Sequence, residues 1–214
     1  MKIIFNHVTK IIRRKVVLED ISLSFEQSCV IGLRGINGSG KTMLLRLIAG
    51  LIYPTDGEIL VDEKALGKDM EFAPSIGILI ENPSFLDQYS GEENLEMLAS
   101  LHDGVSKADV KALLERVGLE KDADTKYRKY SLGMKQRLGI AGAILGNPKL
   151  LLLDEPTNAL DTDGIALLRN IILEERQRGA AVVVASHDAG FLDSVSDEIF
   201  SLENGKIVDH QILH

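Results

Sequence analysis

Only one cysteine, Cys29, occurs in the 214 residues. An internal disulfide is therefore impossible, and the chain suits a reducing compartment, with Cys29 read as a small buried residue beside a strand. A surplus of positive charge is also missing. With 24 Lys and Arg against 32 Asp and Glu, the net charge is −8. That balance argues against a broad nucleic-acid surface, so any polyanion must be held by a local positive site. No apolar run approaches the ~20 residues that cross a bilayer, and the N-terminus lacks the apolar segment of a signal peptide. The chain is not expected to move a solute across a membrane by itself. Repeats, linkers and low-complexity segments are absent, and the pattern ends soon after Val208, where no appended regulatory domain is expected. What remains is ordinary for a globular protein: 45% apolar and 26% charged residues, in a chain long enough to hide roughly 70% of its unfolded surface.

Hydrophobic periodicity divides the chain. Lys2 to Val8 and Val16 to Phe25 read as strands, the latter alternating through Ile21, Leu23 and Phe25. Cys29 to Leu33, Glu58 to Val61 and Ser75 to Ile80 are further strands, and Thr42 to Leu51 is a helix with a stripe of Leu44, Leu45, Leu47 and Ile48. Between Asn82 and Gln136 the β-branched runs disappear. Glu92 to Leu101 and Ser106 to Val117 take helical spacing, and Ser131 starts a third helix to about Leu145. Strands return at Leu150 to Leu153, Ala180 to Ser186 and Glu198 to Leu202, with a helix over Thr162 to Arg178. A strand–helix–strand unit implies a parallel sheet. The expectation is one α/β domain, a core of about 1–81 and 147–214 with a helical subdomain of about 82–146 inserted into it.

Gly35-Ile36-Asn37-Gly38-Ser39-Gly40-Lys41-Thr42 fits the phosphate-loop pattern G-x-x-x-x-G-K-S/T, between a strand and a helix as the pattern requires. Glycines let successive N–H groups face one anion, and the helix N-terminus adds partial positive charge. Lys41 is expected on the β- and γ-phosphates, where a charge pair at ~4 Å is worth about 4 kcal/mol at an effective dielectric of ~20. Thr42 is expected to give its hydroxyl to Mg2+. Leu150 to Leu153 delivers Asp154 and Glu155 to the carboxyl edge of the sheet, where ligands of open α/β sheets bind. Adjacent strand residues point apart, so the acids are expected to divide the work. Asp154 would hold Mg2+; Glu155 would polarise a water, a role contributing about 10²- to 10⁴-fold.

Together with Tyr130-Ser131-Leu132-Gly133-Met134, which matches the signature usually written Leu-Ser-Gly-Gly-Gln, these residues resemble the nucleotide-binding subunit of ABC (ATP-binding cassette) transporters over nearly the whole chain. The resemblance implies a P-loop NTPase core with a mainly parallel sheet, an N-terminal antiparallel β subdomain and an inserted α-helical subdomain. It implies ATP and Mg2+ as ligands. Ser131 and Gly133 would contact the γ-phosphate held by a second ATP-binding subunit, in a homo- or heterodimer. It makes Asn158-Ala159-Leu160-Asp161 the loop that crosses the dimer seam, and His187 the switch histidine at the γ-phosphate. An integral membrane permease is the further implied partner, met by Glu81 to Ser90. The chain would then sit on the cytoplasmic face of the cell membrane without inserting into it.

Three departures stand out. Glu81 replaces the glutamine usual in Ile78-Leu79-Ile80-Glu81-Asn82-Pro83; its carboxylate either approaches Mg2+ or faces solvent. Leu132 and Met134 replace the usual glycine and glutamine. Ile12 occupies the place of the aromatic residue that stacks on adenine. Glu81 together with Ser-Leu-Gly-Met-Lys-Gln-Arg resembles the branch exporting bacitracin, lantibiotics and related peptides. The alternative is a soluble ABC ATPase that moves no substrate, such as an assembly or scaffold factor. Relatives in DNA repair carry long coiled-coil or zinc insertions, and this chain has neither.

Overall fold

The computed structural model describes residues 1–213. The N-terminal segment folds as β1 (Lys2–Ile12) and β2 (Lys15–Glu26), followed by β3 (Val30–Arg34), helix α1 (Lys41–Ile48), β4 (Asp56–Val61) and the short β5 (Lys64–Ala65). After β6 (Ile76–Leu79) come the helices α2 (Gly91–Ala99), α3 (Lys107–Arg116) and α4 (Leu132–Ile144). The chain then alternates through β7 (Leu150–Asp154), α5 (Thr162–Gln177), β8 (Ala181–Ser186), α6 (Ala189–Val195), β9 (Glu198–Glu203) and β10 (Lys206–Ile212). An antiparallel sheet has the order β2-β1-β4-β5, and a six-stranded sheet the order β10-β9-β3-β8-β7-β6. The latter is parallel except for β10, which pairs antiparallel with β9.

Period-two alternation on the buried strands sorts their side chains into two layers. Leu150, Leu152, Val183, Ala185, Leu33 and Phe200 join Leu44, Leu45, Leu47 and Ile48 of α1 and the inner face of the antiparallel sheet. Leu151, Leu153, Val182, Val184 and Ile199 join α2, α3, α4, α5 and α6 on the other side. Helix α1 is thus clamped between the sheets, which leaves its N-terminus little freedom. The helices between β6 and β7 are fixed at their starts by side chains: Ser90 and Ser106 form capping boxes with Glu93 and Asp109, and Ser131 caps α4. Buried Glu175 on α5 accepts from Arg116 of α3 at 2.8 Å and from Arg178, just past the end of α5, at 2.9 Å, which ties α3 to α5.

Strands β1 and β4 run beyond their expected extent, and β5 and β10 were not expected at all. β1 continues to Ile12 and turns back through Arg13 and Arg14, both at positive φ (48° and 67°). β9 and β10 are joined by Asn204 and Gly205, also both at positive φ. Such turns match the twist of paired strands. Helix α6, capped by Asp188, is a further element that the sequence pattern did not announce.

Candidate nucleotide-binding site

The site is built at the carboxyl edge of the parallel sheet. β3 runs into the phosphate loop, β7 ends at Asp154 beside it, and β8 ends at Ser186 on β7's far side from β6. Gly40 takes φ 116° at the start of α1, a conformation that side chains resist, and a Cβ there would meet Leu18 at 2.8 Å. A Cβ on Gly35 would lie 2.4 Å from the Ser39 hydroxyl oxygen.

Lys41 is 5% exposed and its ammonium donates to the carbonyls of Gly35 at 2.7 Å and Ile36 at 3.3 Å. It also pairs with Glu155 Oε1 at 3.2 Å. The Thr42 hydroxyl donates to Asp154 Oδ2 at 2.7 Å. Asp154 Oδ1 is buried without a hydrogen-bond partner, as is Ser39 Oγ. Burial pushes the Asp154 carboxyl above its ordinary range, with Glu155 and Glu81 adding to the rise while Thr42 and Lys41 oppose it.

The two acids do part company, though not by strand alternation. Asp154 is the last residue of β7, whereas Glu155 has left the strand at φ 45°. That left-handed turn, uncommon outside glycine, swings its carboxylate between Lys41 and His187. Glu155 Oε2 lies 2.8 Å from His187 Nδ1. Its other neighbours are the backbone N–H of His187 and the hydroxyl of Ser186, each at 3.4 Å. Lys41, the Thr42–Asp154 pair, Glu155 and His187 therefore share one edge.

Clefts lie on both sides of the phosphate loop. One of about 400 Å³ is lined by Lys15, Val16, Gly40, Lys41, Thr42 and Glu155, with Asn204 and Gly205. The other, about 510 Å³, has Arg34, Gly35 to Ser39 and His187 but neither Lys41 nor Thr42. The smaller cleft brings Lys41, Thr42 and Glu155 together and is the nucleotide candidate. Ile12 does not line it, although its strand partner Lys15 does.

Asn204 and Gly205 were not anticipated as part of the site. The Gly205 N–H donates to the Ser39 carbonyl at 2.9 Å, and its carbonyl accepts from Glu19 at 2.8 Å. This turn bridges the phosphate loop to β2. Half of the signal was available: Asn-Gly directly follows the strand Glu198 to Glu203 as a two-residue hairpin mark, but the segment after it carries no apolar alternation to complete the pattern.

Ser131, Gly133 and Asp161 lie elsewhere. They line a separate cleft with Gly118, Met134 and Arg137. Ser131 Oγ accepts from the Met134 N–H at 3.2 Å, leaving an N-terminal helix end exposed above it. Asp161 caps α5 through the Gly164 N–H at 2.9 Å and accepts from Arg137 at 3.1 Å, and these two bonds hold its carboxyl below the usual range. Gln136, buried in α4, donates to the Pro156 carbonyl at 3.1 Å and fastens the loop after Glu155. Of the alternatives for Glu81, the structure has the solvent-facing one: the side chain is 63% exposed and pairs with Arg46, not with Thr42 or Asp154. The reading of Glu81 as a ligand of Mg2+ beside Thr42 and Asp154 is thereby corrected, because Arg46 draws the carboxylate away from that pair.

The model of the ABC transporter family matches residues 18–158. An uncharacterized ABC transporter ATP-binding protein of Bacillus subtilis is 44% identical over 201 residues, covering 94% of this chain and 92% of its own. The bacitracin transport ATP-binding protein of Enterococcus faecalis is 37% identical, covering 95% of this chain and 67% of its own. A lantibiotic transport ATP-binding protein of Streptococcus pyogenes is 34% identical, covering 91% and 84%. Among solved structures, an ATP-binding subunit of an ABC transporter superposes with a TM-score of 0.88 at 25% identity, covering 100% of this chain and 90% of its own. With motifs, sheet order and relatives in agreement, the chain belongs to the ABC transporter family as one of its ATP-binding, ATP-hydrolysing proteins.

Proposed function

We propose that this chain powers a separate membrane permease, an exporter of peptide antibiotics or related compounds, and that it does so as one of a pair of ATP-binding subunits on the inner face of the cell membrane. The export reading rests on the similarity to bacitracin and lantibiotic transport proteins. Among the described residues no helix is long and apolar enough to cross a membrane, so a membrane path would come from the partner. An apolar groove of about 580 Å³ lined by Leu51, Ile78, Pro83, Phe85 and Leu98 supports docking of that partner beside the segment Glu81 to Ser90.

One observation carries the paired reading: Ser131 and Gly133 line a different cleft from Lys41 and Thr42. A capped, exposed helix end suits an anion, and no phosphate of this chain's own cleft is offered to it. The phosphate held by a second copy supplies one. Ile36 and Leu132, 77% and 75% exposed, stand at the two half-sites and would be covered by the pairing. In this arrangement residues of about 82–146 act as the arm that presents Ser131 to the partner.

Within one half-site, Thr42 and Asp154 fit Mg2+. Asp154 Oδ1 is a buried, unpartnered carboxylate oxygen beside a hydroxyl. Among the described residues no group of three or more His, Cys, Asp or Glu side chains could hold a metal alone. Mg2+ favours such a site, with few protein ligands and its shell completed by phosphate oxygens and water. Bound there, it would neutralise phosphate charge. Lys41 would leave its own loop carbonyls for the β- and γ-phosphates. Glu155, oriented by His187, would polarise a water for attack on the γ-phosphorus, giving ADP and phosphate.

Glu155→Gln tests this. The variant is expected to keep ATP affinity, lose about 10²- to 10⁴-fold in turnover, and accumulate an ATP-bound dimer visible by light scattering. Undiminished hydrolysis would remove Glu155 from its role; a strictly monomeric variant at saturating ATP would remove the pairing.

A further inference from the structure

A third carboxylate stands at the edge that holds Asp154 and Glu155. β6 and β7 are parallel neighbours with Leu79 opposite Leu153, so position 81 leaves its strand level with Glu155. Glu81 turns at φ 64° just past the end of β6, at the sheet edge where Asp154 and Glu155 emerge from β7. Left alone, it would set one more negative charge beside a triphosphate that stays anionic with a divalent cation bound.

Arg46 faces it. Four residues after Thr42, it lies one helical turn along the same face of α1, and its guanidinium pairs with the Glu81 carboxylate. Lys41 is already engaged with Glu155, so each of the two cations answers one acid. Arg46 is 31% exposed and Glu81 63%. A surface ion pair of this kind adds little to stability; what it changes is the charge that the nucleotide meets.

We propose that Arg46 is a positioning residue for nucleotide binding: it neutralises Glu81 and holds it outside the Thr42–Asp154 pair, and this counter-charge is what permits an acid at position 81. The proposal rests on reading Thr42 and Asp154 as ligands of Mg2+ bound with ATP. Both members of the pair also line the apolar groove beside Leu51 and Phe85. Neither residue lines the nucleotide cleft itself, but whatever fills the groove touches the pair that sets the charge beside that cleft.

Calorimetric titration of ATP into the full chain, with Mg2+ and with chelator, tests it on wild type, Arg46→Met, Glu81→Gln and the double variant. Methionine keeps the apolar stem without the charge. Arg46→Met is expected to weaken MgATP binding by roughly three- to thirtyfold, the scale of one charge acting at intermediate distance and dielectric. Glu81→Gln is expected within about threefold of wild type, and the double variant within about twofold of Glu81→Gln, because the acid to be neutralised is gone. Arg46→Lys, which keeps the charge, is expected to bind nearly as wild type and carries the test if Arg46→Met unfolds; a loss in Arg46→Lys as large as that in Arg46→Met, or thirtyfold if that variant unfolds, overturns the proposal. Equal losses from Arg46→Met in the wild-type and Glu81→Gln backgrounds would overturn the proposal, as would no loss at all. Wild-type binding indifferent to Mg2+ would instead overturn the metal reading on which it stands.

Discussion

At the scale of single residues, the site is a problem of charge in a confined place. Asp154 is buried, accepts one hydroxyl, and keeps one oxygen without a partner. Its proton therefore leaves at higher pH in the folded protein than in the unfolded chain, where the ordinary value is 3.8. In that window the folded state binds more protons, so stability falls as pH rises through it. Asp154→Asn removes the cost while keeping an acceptor for Thr42. Nucleotide-free protein carrying it is expected to melt a few degrees higher than wild type at neutral pH, with the gain vanishing below the ordinary carboxylate range. Thermal unfolding of both proteins in chelator at acid and neutral pH checks this; an unchanged or lower neutral melting point would contradict it. Turnover is expected to be lost in the same variant. Cys29 is the opposite case. Burial pushes its thiol up to about 11, and it donates to the Glu26 carbonyl, so it is as inert as its place beside a strand suggested.

At the scale of elements, the site depends on close packing between β6 and α4. A Cβ on Gly77 would stand 1.8 Å from the Ala143 carbonyl oxygen, and one on Gly139 would stand 2.7 Å from Pro83. These glycines let helix and strand approach, and they fix the level at which Ser131 emerges at the other end of α4. Gly77→Ala forces backbone apart and is expected to cost about 1–3 kcal/mol, read as a lowered denaturant midpoint; an unchanged midpoint would show that α4 can shift freely. Most elements were legible because their periods are clean: Leu150 to Leu153 and Ala181 to Ser186 are continuous buried runs, and α5 carries a stripe through Leu168, Ile171 and Ile172. β10 was not, because it is a mostly exposed edge strand whose Asp209, His210 and Gln211 show no apolar alternation. Its register is held instead by its neighbour: His210 stacks on Phe200 at 4.1 Å and pairs with Glu198 at 2.7 Å. α6 is short, and only its Asp188 cap marks it.

At the scale of the whole molecule, the paired reading makes one chain half of a catalytic unit, with Lys41 and Ser131 in separate clefts. Ser131→Arg is expected to leave ATP affinity of the monomer nearly intact and to abolish hydrolysis, since a bulky cation at the helix start would block the partner's phosphate. Loss of affinity by calorimetry would instead place Ser131 in this chain's own site. The phosphate loop, the order of motifs and the strand that delivers Asp154 and Glu155 could all be read from the residues alone, because these depend on residue type and local period. Which carboxylate meets which cation could not. Glu155 reaches Lys41 and His187 through a left-handed turn, Glu81 in the turn after β6 is drawn to Arg46 of α1, and Asn204–Gly205 closes over the phosphate loop from the far end of the chain. Such pairings join residues far apart in sequence. Local pattern fixes where a side chain starts, but only the packing of β3, β6, β7 and β9 around α1 fixes what it meets.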